Sequence, residues 1–161
     1  MAERDHSRLG VLCDIVGIVD ALLDNPGLYI GKDTVVGSDL VGAARILVSP
    51  LPGRAGVSLD YEILNGLAPG PVLGHVEHTV IGKADDGRTV MVIAHTHGDG
   101  ITILRETEPG VFEPGHVEVP YPMKVVLSVP EPGRLRHAWW YGSPGEPAVE
   151  RDVAELEIVS K

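Results

Sequence analysis

The stretch VMVIAHTHGDGIT places two imidazoles two positions apart, followed closely by a carboxylate. Residues two apart on a strand point to the same side, so His95 and His97 have a spacing that suits zinc or iron. A third ligand could come from His75 or Glu77 in the preceding strand. The alternative is that His97 lies in the HGDG turn facing solvent and that Asp99 caps this turn. Because no HExxH or similarly spaced motif is present, we predict no metal site.

The same side chains could also transfer protons, because a histidine beside a carboxylate in a partly dry cavity can have a suitable pKa. The candidates are His75, Glu77, His78 and His95, with Tyr61 or Tyr141 as hydroxyl donor. Such a set could catalyse an isomerisation, a cyclisation or a dehydration without a cofactor. The alternative is that Glu77 and His78 pair with neighbouring strands on the outer surface. There is no GxSxG sequence, and the single cysteine, Cys13, falls in a helical stretch, which disfavours nucleophilic hydrolysis.

Alternation along strands would place several of these residues on common faces. One face each would hold His75, Glu77, Thr79 and Ile81; Met91, Ile93, His95 and His97; and Leu135, His137, Trp139 and Tyr141. If these faces line a cavity, polar groups would join an apolar wall, which is typical of a small-molecule site. The predicted ligand-binding residues are therefore His75, His95, His137, Trp139, Tyr141 and Met91. Because Trp139 and Trp140 are adjacent, at most one of them can stack on a ligand ring.

The elements that must position these residues are mostly strands. Residues 9–24 carry apolar side chains at helical spacing, and the sequence NPG ends this predicted helix. The rest of the chain has the pattern of nine or ten short, evenly spaced strands, with KADDGR as a strong hairpin signal. We therefore predict an all-β, antiparallel up-and-down barrel over residues 28–160, with the helix over one mouth. Closure removes exposed sheet edges, and a barrel of this size is wide enough to hold a cavity.

Three segments carry specific expectations within this pattern. NGLAPGP, residues 65–71, is predicted to be a loop between two strands. VFEPGHVEV, residues 111–119, is predicted to be a strand. AVERDVAELEIV, residues 148–159, is acidic but alternates as a strand would, so it is predicted to be the last strand rather than a helix.

Composition limits the possible functions. The chain has 161 residues, 43% of them hydrophobic, which predicts one domain over residues 1–161. Its formal charge of −10 and the absence of any Lys/Arg run disfavour nucleic acid and membranes as partners. A single cysteine excludes an internal disulfide. The N-terminal stretch resembles neither a signal peptide nor a membrane helix, so we expect a cytoplasmic protein, either monomeric or homodimeric.

Two stretches resemble a known family. GHVEHTVIGKADDGRTVMVIAHTHGDGITIL, residues 74–104, resembles the central hairpin of nitrobindin-like proteins, which are small cytosolic barrels related in architecture to lipocalins and fatty-acid-binding proteins. The shared pattern is an H-x-E strand, a turn, an apolar strand ending in Ala-His, and a Gly turn. LRHAWWYGSPGEPAVERDVAELEI, residues 135–158, is similar to the last hairpin of these proteins, including Gly-x-Pro at 145–147. Together the two stretches cover about a third of the chain.

The resemblance implies the barrel and raises haem as a cofactor, with His95 or His137 as an iron ligand. The haem-binding histidine of the family, however, aligns with about Arg151, and no histidine follows His137. The family's early Gly-x-Trp-x-Gly also has no counterpart, PGLYIGKD being the nearest segment. We therefore predict no cofactor, with haem as the disfavoured alternative.

These observations predict a cytosolic barrel that holds a small hydrophobic or aromatic ligand in its cavity. The alternative is a cofactor-independent isomerase, cyclase or dehydratase that uses the His/Glu cluster. The composition resembles that of proteins from GC-rich bacteria, in which such barrels sometimes act on natural-product intermediates. A third class, a structural or interaction module, would require a large exposed apolar patch. His95 is expected to face the barrel interior or its mouth, with His97 and Asp99 at the rim.

Overall fold

The computed structural model describes residues 17–68, 70–98, 100–115 and 119–161, and within residues 65–73 it describes the backbone alone. One helix, α1, spans Ile18–Asp24, and a short 3-10 turn spans Pro52–Arg54. The strands are β1 (Gly27–Val35), β2 (Val41–Pro50), β3 (Gly56–Ala68), β4 (Gly70–Lys83), β5 (Thr89–His95), β6 (Ile101–Glu108), β7 (Val111–Glu113), β8 (Met123–Ser128), β9 (Arg134–Tyr141) and β10 (Val149–Ser160).

The ten strands form a closed antiparallel barrel. Each strand pairs with the strands before and after it in the chain, and β10 pairs with β1 to complete the circle. Closure satisfies the backbone groups that would otherwise be exposed at the two sheet edges. The predicted all-β, antiparallel up-and-down barrel with one N-terminal helix is therefore confirmed, and the described residues form ten strands.

Inner and outer side chains alternate along the strands, as the sequence pattern predicts. In β2, the small or aliphatic residues Gly42, Ala44, Ile46 and Val48 are buried, and the residues between them are exposed. On the outer face, Arg45 pairs with Glu62 of β3, with 2.6 Å between Nη2 and Oε2. Fully burying an aliphatic side chain contributes about 1.5–3 kcal/mol, so a one-residue slip in register would be costly.

The hairpin between β4 and β5 turns where the sequence predicts it. Gly87 has a φ of 79°, which L-residues rarely adopt and glycine adopts freely. The Asp86 carboxylate accepts a hydrogen bond from the Arg88 backbone N–H at 3.0 Å. The Ala84 N–H donates to the Arg88 carbonyl at 2.9 Å, which closes the turn.

Three predicted boundaries differ from the structure. The loop predicted at residues 65–71 is largely strand, because β3 continues to Ala68 and β4 begins at Gly70. Irregular register between Asn65 and Ala68 accommodates the Gly- and Pro-rich sequence within the β3–β4 pairing. The strand predicted at 111–119 is short, since β7 ends at Glu113, and residues 116–118 lie outside the described residues.

The last strand follows its prediction closely. β10 occupies Val149–Ser160 and pairs along its length with β1 and β9. The alternation of apolar and charged residues therefore predicted the structure of this segment better than its acidic composition did.

The helix predicted over residues 9–24 is present from Ile18 to Asp24. Residues 9–16, which include Cys13, lie outside the described residues. The Tyr29 hydroxyl donates to the Asn25 carbonyl at 2.6 Å, which ties the end of α1 to the start of β1. Within the described part of the chain, no helix is long and apolar enough to cross a membrane.

The end of the barrel where β1 begins, here called the closed end, is filled with side chains. The fully buried inner residues at this end include Tyr29, Ile46, Leu59, Ile81, Met91 and Phe112. Ile18, Leu22 and Leu23 of α1 belong to the same apolar cluster, and the helix contacts β2 and β3. The helix thus covers an end of the barrel that is already packed.

At the opposite end, here called the open end, the inner face becomes polar along the same strands. On β4 the inward positions change from Ile81 through Thr79 and Glu77 to His75. This change from apolar to polar side chains distinguishes the open end from the closed end.

Candidate functional site

A cavity of about 700 Å³ opens at the open end of the barrel. Its polar lining residues are Asp33, His75, His95, His97, Tyr121, Tyr141 and Asp152. Its other lining residues are Val35, Ile63, Gly74, Met123, Trp139, Gly142 and Pro144. Cavities of roughly 300–1,000 Å³ with mostly apolar walls and a few placed polar groups are the usual sites for small molecules.

Glu77 forms the centre of a hydrogen-bonded cluster beneath this cavity. Its side chain is fully buried. Its Oε1 accepts a hydrogen bond from the Thr79 hydroxyl at 2.6 Å, and its Oε2 accepts one from the Trp139 indole N–H at 3.1 Å. The His75 Nε2 lies 3.3 Å from Oε2, and the His137 Nε2 lies 3.5 Å from Oε1. A buried carboxylate is stable only when donors of this kind replace its water.

The charge of Glu77 depends on these neighbours. Burial alone would raise the pKa of the carboxyl, but the His137 imidazole and the hydrogen bonds from His75 and Thr79 outweigh burial and lower it below its ordinary value. Glu77 is therefore ionised at neutral pH. Such a weak base, with its oxygens already engaged, is better suited to positioning His75 and Trp139 than to accepting a proton from a substrate.

His75 connects this cluster to the cavity, since it lines the cavity and contacts Glu77. A neutral imidazole carries its proton on one of its two ring nitrogens, and a neighbouring carboxylate favours the tautomer in which this N–H points towards it. Nε2–H of His75 thus points to Glu77, and Nδ1 is left as the acceptor. The His97 ring stacks on His75 with 5.4 Å between centroids, and the His95 ring lies 5.8 Å away.

His95 faces the cavity mouth at the end of β5, as predicted. Burial lowers its pKa, which favours the neutral ring. Its Nδ1 accepts a hydrogen bond from the His97 backbone N–H at 3.3 Å. His97 is exposed, and its Nε2 lies 3.2 Å from the Gly74 carbonyl oxygen. The predicted rim position of Asp99 lies outside the described residues.

A second buried pair, which the sequence interpretation missed, joins β1 to β3. Asp33 lines the cavity although it is only 4% exposed, and its Oδ1 accepts a hydrogen bond from the Tyr61 hydroxyl at 3.1 Å. Tyr61 reaches across β2, whose inner residues at this level are Gly42 and Ala44. The sequence feature that could have identified Asp33 is its inward position. By strand alternation this acidic residue shares a face with Tyr29.

Burial controls the protonation of this pair. It raises the pKa of Asp33 despite the hydrogen bond from Tyr61, and the nearby Asp152 raises it further. Burial and the Asp33 carboxyl also raise the pKa of Tyr61, so its hydroxyl remains a donor at any physiological pH. The pair gives the cavity a carboxyl group that holds its proton more tightly than an exposed aspartate does.

Asp152 of β10 is a second cavity carboxylate that was not predicted. Its Oδ2 accepts a hydrogen bond from the Tyr141 hydroxyl at 3.0 Å, and both residues line the cavity. Asp152 pairs in register with Val35 of β1 and with Trp139 of β9. Asp33 and Asp152 therefore lie on adjacent strands of one wall.

Other predicted site residues lie away from the cavity. Met91 is fully buried at the packed end and does not line the cavity. His137 is 1% exposed and lies beneath the cavity, with 4.8 Å between its ring centroid and that of Tyr61. Among the described residues neither ring nitrogen has a hydrogen-bond partner of good geometry, although Nε2 approaches Glu77 Oε1 to 3.5 Å. His78 is on the outer surface, with its Nδ1 2.6 Å from Asp60 Oδ1. The outer-surface alternative thus holds for His78 but not for Glu77.

The metal and haem hypotheses can be compared with this geometry. Among the described residues, no group of three or more His, Cys, Asp or Glu side chains is arranged to hold a metal ion. Three cavity histidines could offer imidazole to haem iron. In the described part of the chain, however, no lysine or arginine lines the cavity to pair with the haem propionates, whereas Asp33 and Asp152 would repel them. The lining residues therefore do not fit haem.

The arrangement offers three chemical features: an apolar cavity with a fixed indole ring, an oriented imidazole, and two carboxyl groups held by tyrosine hydroxyls. No protein-family model matches the chain, and no curated protein matches it significantly.

Proposed function

We propose that the chain binds a small, mostly apolar molecule in the open-end cavity, in the manner of the lipocalin and fatty-acid-binding barrels that it resembles. The observation that carries this proposal is the hollow of about 700 Å³ in a barrel whose other end is densely packed. Its apolar lining includes Val35, Ile63 and Met123.

Trp139 is the best candidate for contact with a ligand ring. Its indole N–H is bonded to buried Glu77, so the ring is held in place before a ligand arrives. A preorganised surface loses less side-chain entropy on binding than a mobile one. Trp140, in contrast, packs under the Lys124 ammonium, which lies 4.4 Å from its ring centroid.

The test is titration with N-phenyl-1-naphthylamine, an uncharged dye that fluoresces in apolar sites. We expect saturable binding and energy transfer from Trp139 in a Trp140→Phe background. Val35→Phe, which adds a ring to the cavity wall and narrows the cavity, should weaken binding at least about tenfold by steric exclusion. Val41→Phe, at an exposed position of β2, is the matched control and should bind as the parent does. Absence of saturable binding, or equal binding by Val35→Phe, would contradict the proposal.

The second candidate is a cofactor-independent isomerase, cyclase or dehydratase. The observation that favours it is the presence of two proton-transfer groups on one cavity: His75 oriented by Glu77, and Asp33 with its raised pKa. His75 Nδ1 would act as the base and Asp33 as the acid, with Tyr61 positioning Asp33. His95 would supply a further imidazole at the mouth.

Proton exchange separates these candidates. An enzyme of this kind should catalyse deuterium incorporation from D₂O into an enolisable ketone such as 1-indanone, measured by mass spectrometry. The His75→Ala variant should lose this exchange by about 10²-fold or more while still binding the naphthylamine dye. A binding protein should show only the buffer rate in both forms.

Haem is the least supported candidate, because the cavity carboxylates oppose its propionates. We expect that mixing the purified chain with hemin produces no stoichiometric Soret band from a histidine-bound iron. A saturable band that disappears in His95→Ala would reverse this expectation.

A further inference from the structure

We propose that the ligand of the open-end cavity is an organic cation: an ammonium group attached to an apolar ring system. This inference rests on the proposed binding function and names the chemical class of the ligand. It follows from which charged groups line the cavity, where they lie, and which groups are near them.

The first observation is the sign of the charged side chains in the wall. Asp33 and Asp152 line the cavity, and the Glu77 carboxylate lies just beneath it. Among the described residues, no lysine or arginine lines this cavity. An anionic ligand would enter against these charges, whereas a cation would be attracted by them.

The second observation concerns the partners of these two acids. Several carboxylates elsewhere have a cationic partner, as Glu62 has in Arg45 and Glu150 has in Arg136. In the described part of the chain, no cationic side chain lies within ion-pair distance of Asp33 or Asp152, and the hydrogen bond to Asp33 comes from Tyr61, to Oδ1. Asp33 is only 4% exposed, and yet it lines the cavity. Among the described residues no side-chain hydrogen bond to its Oδ2 is found, which leaves this oxygen as an acceptor for a ligand.

Burial raises the pKa of Asp33 and outweighs the opposing effects of the Tyr61 hydrogen bond and of the nearby His137 and His75 rings. A bound ammonium would supply the missing charge and stabilise the carboxylate form. The Tyr61 and Tyr141 hydroxyls fix one oxygen of each aspartate, so that both carboxyl groups are positioned before the ligand binds.

The third observation is the aromatic surface beside the acids. Trp139, Tyr121 and Tyr141 line the same cavity, and Trp139 is in register with Asp152 on the neighbouring strand. Aromatic faces attract cations through the negative charge of their π-systems, and the indole ring does so most strongly. Carboxylates combined with aromatic rings recognise amines, whereas apolar walls alone would recognise a neutral ligand.

The experiment compares two dyes that differ in one charge. Dansylcadaverine carries a primary ammonium, and its N-acetyl derivative is neutral but otherwise nearly identical. We expect the parent chain to bind the ammonium dye at least about tenfold more tightly in 150 mM salt. Asp33→Asn and Asp152→Asn should each reduce this preference, and the double variant should abolish it while keeping its affinity for the neutral dye.

The matched control is Asp60→Asn, which removes the same charge from the outer surface, where the carboxylate contacts His78. This variant should keep the full preference. Retained affinity for the neutral dye shows that a variant is folded, and circular dichroism checks it independently.

The outcomes separate the two proposals. If both dyes bind equally to the parent chain, the cation assignment is wrong and the small-molecule function stands. The preference for the ammonium dye can also be equal in the double variant and in Asp60→Asn. In that case it comes from net charge and not from the two cavity carboxylates, and the cation assignment is also wrong. If neither dye nor the naphthylamine binds, the proposed function fails and the inference fails with it.

Discussion

The two ends of the barrel are built from the same ten strands but differ in the side chains that fill them. At the closed end the inward positions are apolar and tightly packed, and α1 covers them. At the open end the inward positions of the same strands are acids, histidines and aromatic residues around a cavity. On β9, for example, Leu135 is packed at one end and Tyr141 lines the cavity at the other. The strands therefore contribute packed core residues at the closed end and cavity-lining residues at the open end.

This difference indicates that stability and binding can be altered separately. Buried apolar contacts at the closed end are the main source of folding free energy. At the open end, the buried carboxylate form of Asp33 opposes folding, and this group is available to a ligand. Substitutions at the two ends should consequently have different signatures.

The largest effect is expected from a cavity made at the closed end. Phe112→Ala removes a fully buried ring and should lower the free energy of unfolding by about 3–5 kcal/mol, measured by urea denaturation. Affinity for the naphthylamine dye should be unchanged in the folded fraction. Ile101→Ala, at a position that is 69% exposed, should change stability by less than about 0.5 kcal/mol. Loss of dye binding in folded Phe112→Ala would show that the two ends are coupled.

The next effect concerns the base of the open end. Glu77→Gln replaces one oxygen of a buried carboxylate with an amide nitrogen, which cannot accept a hydrogen bond. Because Thr79 and Trp139 donate to different oxygens, one of these two hydrogen bonds is lost. We expect a loss of about 1.5–3 kcal/mol in the free energy of unfolding at pH 7. The Glu62→Gln control, in an exposed ion pair, should lose at most about 1 kcal/mol.

The pH dependence of this loss follows from the direction of the pKa change. The pKa of Glu77 is lowered in the folded chain, so its contribution is fully present above its ordinary value of 4.5 and is lost as the pH falls through the folded value. The stability difference between the parent and Glu77→Gln should therefore shrink as the pH falls below 4.5. A difference that is the same at pH 3 and pH 7 would contradict the assigned charge.

The smallest expected effect has the opposite sign. The pKa of Asp33 is raised by burial, so its carboxylate form opposes folding, and its contribution to stability decreases as the pH rises from 3.8 through the folded value. Asp33→Asn should therefore slightly increase the melting temperature at pH 7, with no increase at pH 3. Asp60→Asn on the outer surface should show no such gain. A decrease at pH 7 would mean that the carboxylate stabilises the open end.

Most of the fold could be predicted from the sequence because its signals are local. Alternation identified β10 in spite of its acidic residues, and Asp-Gly identified the turn at Gly87. The β3–β4 hairpin was misjudged because Gly and Pro normally end strands, whereas here irregular register retains the pairing. Strand pairing is a tertiary property, and local residue preferences do not determine it.

The site was only partly predictable. Alternation correctly grouped His75 with Glu77 and Trp139 with Tyr141 on inward faces. It could not show that Met91, on the inner face, would be packed, because the depth of the hollow depends on side chains from every strand. The pattern of histidines gives no indication of Asp33. The role of this residue depends on its hydrogen bond with Tyr61, which lies 28 positions away in the sequence.

The pairing of β1 with β10 has a consequence for synthesis of the protein. Asp33 and Asp152 belong to β1 and β10, so the two acids meet only after β10 has emerged from the ribosome. Before that moment β1 and β9 have unpaired edges that can associate with other nascent chains. A product truncated before β10 would therefore lack half of the acidic wall and would be prone to aggregate.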